Sequence, residues 1–156
     1  MKYEFPVIIE NGLGEKLIFR SSVMEGGEEK LIVENFVHPG AGPIMHTHLQ
    51  QDEELFVVSG EMTYQIMGEE PVVARAGDKA LFKRGVPHKF WNSGSTELNC
   101  TGYIKPAHSI IFFLSAIFEA QKKSGKPQPE FFDGAYLIHR YKSEYDMPEM
   151  PFLLRK

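Results

Sequence analysis

The first hundred residues are punctuated too regularly to be anything but short strands, and that rhythm constrains the fold more than any other feature. The apolar or alternating runs are FPVII, KLIFRSSV, KLIVENFV, ELFVVSGEMTYQIM, EPVVARA, KALFKRG, HKFWN and LNCTGYI. Between them stand the turn signals NGLGE, EGGEE, HPGAGP, GEE, AGD and NSGST. Strands of this length and spacing predict an all-β sandwich or barrel. Within EMTYQIM the period is two: Met62, Tyr64 and Ile66 face one way, Thr63 and Gln65 the other.

The pattern changes after Pro106. The stretch SIIFFLSAIFEAQKKSGKP predicts one helix, with Ser109 at its N-cap, Lys122 and Lys123 near the negative end of the dipole, and Gly125 just past the last turn. Its apolar positions, 110–114 and 116–118, wrap most of the way round, so the helix should be buried between two surfaces. A second short helix is expected near 134–143. A chain of 156 residues suits one domain. The expected division is a barrel over 1–105 and a helix and tail over 106–156 packed on it.

Composition closes off several functions. The formal net charge is −4 and the basic residues form no run, which argues against a nucleic-acid surface. Cys100 is the only cysteine, so neither an internal disulfide nor a zinc site built from several thiolates is available. The start, MKYEFPVIIENGLGEK, is not that of a secretory signal, and the most apolar run, IIFFLSAIF, is too short for a membrane span. The expectation is a cytoplasmic protein with no membrane partner. Small barrels have edges to cover, so a homodimer is expected.

Two histidines stand one residue apart in HTHLQQDEELFVVSG. In an extended chain His46 and His48 share a face. Parity would place Glu53 opposite, so a turn must lie within LQQD. Glu53 then heads the strand ELFVV on the face of Leu55 and Val57, where a carboxylate is costly unless paired or metal-bound. Glu54 and, at a shorter spacing, Asp52 are its rivals. His88, in GVPHKFWN, is a third imidazole. Histidine nitrogens with one carboxylate suit Fe, Mn, Co, Ni, Cu or Zn, and ligand type does not choose among them. Tyr64, Met62, Phe82 and Phe90 have the parity to line a pocket or simply to pack a core; Tyr64 is the candidate catalytic residue, because a buried hydroxyl needs a partner.

Two segments resemble the paired motifs of the cupin superfamily. The first, G-x5-H-x-H-x3,4-E-x6-G, is matched by Gly40, His46, His48, Glu53 and Gly60. The second, G-x5-P-x-G-x2-H-x3-N, is matched by Gly77, Gly85, His88 and Asn92, with Lys83 where the family usually has proline. The resemblance implies a double-stranded β-helix jelly-roll barrel, here with a C-terminal helical extension. It also implies one divalent metal ion per chain, held by His46, His48, Glu53 and His88. The expected function is that of a metal-dependent enzyme on a small, partly apolar molecule, with dioxygenase-like oxidoreductase chemistry favoured. The alternatives are a metal-dependent isomerase, lyase or decarboxylase, or a non-catalytic module that binds a small ligand. Leu55 stands where some metal-dependent cupin lyases carry a catalytic tyrosine.

Overall fold

The computed structural model describes residues 3–150. Strands β1 (Val7–Glu10), β2 (Glu15–Glu25) and β3 (Glu28–Val37) form an antiparallel meander. They continue through β10 (Leu98–Lys105) to β5 (Asp52–Ser59) and β8 (Lys79–Phe82), giving a six-stranded sheet in the order β1-β2-β3-β10-β5-β8. A second sheet has β6 (Glu61–Ile66) between β7 (Val72–Arg75) and β9 (His88–Asn92). A third is a pair of two-residue strands, β4 (Thr47–His48) and β11 (Tyr145–Asp146). Together they make the antiparallel barrel expected from the punctuation, of the jelly-roll type that the resemblance implies.

Alternation decides the inside. On β3 the buried row is Leu31, Val33, Asn35 and Val37; on β5 it is Glu53, Leu55 and Val57. Two apolar clusters result. One, with Val57, Met62, Phe82, Leu98 and Cys100, fills the barrel. The other, with Phe19, Leu31, Ile104, Ile110, Phe113 and Leu137, joins the six-stranded sheet to the helices. The apparent single run ELFVVSGEMTYQIM is cut into β5 and β6 by Gly60, whose φ of 90° is a left-handed turn that glycine adopts without strain.

Helix α1 (Ile110–Ser124) ends as expected, with Gly125 at φ 68° and its N–H donating to Gln121 O at 2.8 Å. Its start differs. Ser109 occupies the N-cap position but makes no capping bond; its Oγ donates instead to Glu144 Oε2 at 2.5 Å. The C-terminal segment competes for that hydroxyl and wins. The helix is not buried all round either: Phe112 is 46% exposed, while Ile110, Ile111, Phe113, Ile117 and Phe118 are buried. Helix α2 (Phe131–Tyr141) starts three residues before the position expected from sequence. Among the described residues no helix is long and apolar enough to cross a membrane.

Candidate metal centre

Four side chains from three strands and one bridge converge. His46 sits just ahead of β4 and exchanges backbone hydrogen bonds with His88, the first residue of β9 (3.0 and 2.9 Å). His48 ends β4, where Gly85 N–H donates to its carbonyl at 2.7 Å. The chain turns over Leu49–Gln51, which resets parity, and Glu53 enters the interior row of β5, opposite Phe82 on β8 and Ile104 on β10. The potential ligand atoms of His46, His48, Glu53 and His88 all lie within 4.8 Å of one another.

The imidazoles are oriented from behind. His46 Nδ1 lies 2.8 Å from Ile44 O, and His88 Nδ1 lies 2.9 Å from Val86 O. A carbonyl only accepts, so these nitrogens carry the proton and Nε2 is left as a lone-pair donor facing the cluster. His48 Nδ1 lies 3.3 Å from Gln51 Oε1. His48 Nε2 is 3.5 Å from Glu53 Oε2 and His88 Nε2 is 3.6 Å from Glu53 Oε1, both longer than an ordinary hydrogen bond. His48 Nε2, His88 Nε2 and Glu53 Oε1 are buried without a hydrogen-bond partner. Buried polar atoms are rarely left so, and atoms that converge in this way fit a cation between them.

Electrostatics point the same way. Burial, reinforced by repulsion from His88 and His48, pushes the His46 imidazole down to about 3, so it stays neutral and able to ligate. Burial alone would raise the Glu53 carboxyl, but the close approach of the polar His48 and His88 rings holds it well below the usual range, as a carboxylate. Asp52 is diverted: Arg84 donates to Oδ1 from its backbone N–H at 2.9 Å and pairs with Oδ2 at 3.2 Å, which keeps that carboxyl low and outside the cluster. Glu54 takes the opposite parity to buried Glu53 and Leu55, opposite Leu81 on β8.

A cavity of about 70 Å³ borders the cluster. Its walls include Val33, Leu55, Phe90 and, from α1, Leu114 and Phe118, so the helix forms one side of the space next to the ligands. Glu15 and Asn35 add polar groups to that lining. Tyr64 is not part of it: its ring meets Phe82 edge-on at 5.6 Å, and Phe82 in turn lies flat on His88 at 4.0 Å. A larger depression of about 970 Å³ lies on the outer surface and touches none of the four cluster residues. Asn92 donates to Val37 O and Thr96 O (2.8 and 2.7 Å) and accepts from Gly94 N–H, tying off the end of β9.

Residues 36–101, which carry all four cluster side chains, match the family model described as Cupin domain. These residues form a cupin domain. Its barrel resembles solved structures of other cupins. An RmlC-like cupin from Shewanella frigidimarina NCIMB 400 aligns with a TM-score of 0.55 at 22% identity, over 71% of this chain and 93% of that one. KdgF from Halomonas sp. aligns at 0.55 and 16% identity, over 63% and 85%. A predicted oxalate decarboxylase from Thermotoga maritima aligns at 0.51 and 23% identity, over 64% and 90%. These likenesses establish the fold. No curated protein matches the chain.

Three residues of this cupin's site escape the motif. Asn35 is 8% exposed and its Oδ1 has no partner. Strand parity in KLIVENFV puts it in the row of Leu31, Val33 and Val37, so a signal was present. Glu15 is pushed up to about 7 by burial, although Asn11 Nδ2 donates to its Oε2 at 2.7 Å. It opens β2, directly after the NGLG turn, where nothing in the sequence marks it as part of the site. Gln51, fully buried behind His48, likewise carries no local signal.

Proposed function

We propose that this cupin holds one divalent metal ion at His46, His48, Glu53 and His88 and is a metal-dependent enzyme with dioxygenase-like chemistry on a small, partly apolar molecule. The observation that carries the reading is the set of orphaned Nε2 and carboxylate atoms beside a small, mostly apolar cavity. When bound, such an ion supplies a Lewis-acidic or redox centre with positions left for exogenous oxygen ligands. The chain's own part is to fix the imidazole tautomers, exclude water with Leu114 and Phe118, and keep the cavity wall apolar. A space of about 70 Å³ takes only a few heavy atoms unless α1 moves. Asn35 Oδ1 offers such a molecule one hydrogen-bond acceptor. The partner on this reading is a small molecule of the cytoplasm, not nucleic acid.

One observation favours a second reading, a Lewis-acid isomerase, lyase or decarboxylase. Glu15 borders the cavity with a carboxyl near 7, which suits a group that takes and returns a proton at neutral pH. The two readings separate in one experiment. The protein loaded with Fe(II) is offered phenolic and thiol substrates while dissolved oxygen and solvent-deuterium incorporation are followed. Substrate-dependent oxygen uptake that disappears in His88→Ala supports the first reading. Deuterium incorporation without oxygen uptake supports the second. Binding with neither would make the chain a ligand-binding module.

A further inference from the structure

We infer that Gln51 is a positioning residue of the metal centre, and that through it the C-terminal segment sets the orientation and tautomer of His48. The inference rests on reading the four cluster residues as metal ligands.

The three histidines are not held alike. His46 and His88 each lean on a carbonyl only two residues back along the chain. His48 leans on Gln51, and Gln51 is held from far away. Its Nε2 donates to Ala107 O at 3.0 Å, 56 residues distant, and to Tyr145 Oη at 2.9 Å, 94 residues distant. Those two bonds use both N–H groups of the amide. The reverse orientation would set Oε1 against the Ala107 carbonyl, acceptor to acceptor, so the network fixes the amide with Oε1 toward His48. Oε1 only accepts, which places the proton on His48 Nδ1 and leaves its orphaned Nε2 as the lone-pair donor toward Glu53 and His88.

The same segment also clamps His48 directly. Tyr145 pairs with His48 between β11 and β4, and Leu49 N–H donates to Glu144 O at 2.7 Å. The Tyr145 ring stands edge-on to the imidazole at 5.5 Å and 82°, and is itself stacked flat on Phe113 of α1 at 4.0 Å. Gln50 Nε2 donates to Ser143 O at 2.7 Å. Ala107, Phe113 and Tyr145 all lie beyond residue 101, where the cupin match ends. The helical extension is therefore a structural component of the centre as well as one side of the space next to it.

The test is Co(II) titration of the full chain and two variants, followed by the visible spectrum of bound Co(II), with the histidine tautomers of the metal-free proteins read by ¹⁵N NMR. Gln51→Leu removes the acceptor; its Co(II) affinity should fall about 10- to 100-fold, and His48 should lose its preference for Nδ1–H. Gln51→Glu keeps an acceptor for Nδ1–H while losing both donors, so it should be less stable yet bind Co(II) within a few-fold of the parent. That pairing separates positioning from folding, because a purely structural role would make affinity follow melting temperature in both variants. Equal affinity of Gln51→Leu and the parent, or Gln51→Glu as weak as Gln51→Leu, would overturn the inference alone. A parent chain that takes up no Co(II) would overturn it together with the metal reading beneath it.

Discussion

Phe82 lies flat on the His88 imidazole, ring centroids 4.0 Å apart and planes 4° from parallel, and pairs across the β5–β8 ladder with Glu53. One fully buried aromatic therefore touches one candidate ligand and backs the strand position of another. Phe82→Ala should cost about 3–5 kcal/mol of stability through the cavity it leaves, and should also loosen metal binding by freeing the His88 ring. Denaturant unfolding without metal, followed by metal titration of the variant, checks both parts. Stability within 1 kcal/mol of the parent, on the order of a surface substitution, would contradict the packing described.

Glu15 predicts a pH signature. Its carboxyl titrates near 7 in the folded chain against an ordinary 4.5. Between those values the native state keeps a proton that the unfolded state has lost. Its contribution is therefore full below about pH 4.5 and declines as pH rises to about 7, by about 3 kcal/mol in total. His46 acts in the opposite sense. Its folded value near 3 lies below the ordinary 6.5, so stability falls as acid protonates the unfolded chain first. Because the windows overlap, Glu15 is read from the difference between the parent and Glu15→Gln. The variant should gain on the parent by about 3 kcal/mol as pH rises from 4.5 to 7.5. Parallel stability curves would remove Glu15 from the account.

Much of this architecture is legible in the sequence because its signals are local. Turn residues at short intervals mark the strands, and period-two alternation assigns their faces, down to the single polar Asn35 in an apolar row. The convergence of His46, His48 and Glu53 also follows from spacing, once a turn over Leu49–Gln51 absorbs the parity conflict. What stayed hidden depends on distant partners. Strands β4 and β11 are two residues each and exist only because Tyr145 and Asp146 reach back to His48 and Thr47. Ser109 looks like a helix cap until Glu144 claims its hydroxyl. Tyr64 has interior parity, yet it does not line the cavity and stands behind Phe82. Gln51 reads as one polar residue among several, since its role is set by contacts more than fifty residues away.

Cys100 offers a check on the barrel interior. It is fully buried, and burial pushes its thiol up to about 12. A thiol held protonated and away from solvent reacts slowly. A disulfide reagent at pH 8 should leave Cys100 unmodified in the native protein and label it fully once the chain is unfolded. Rapid labelling under native conditions would place Cys100 outside the core.

Metal content decides whether the four side chains form a metal centre. The protein purified without chelators, analysed by elemental mass spectrometry beside His48→Ala, should carry about one divalent transition ion per chain, as four converging donors predict. The variant should lose most of it while keeping the strand content of the parent. A parent chain without bound metal after incubation with Fe(II), Mn(II), Co(II), Ni(II), Cu(II) and Zn(II), or a His48→Ala variant with unchanged metal content, would contradict the account.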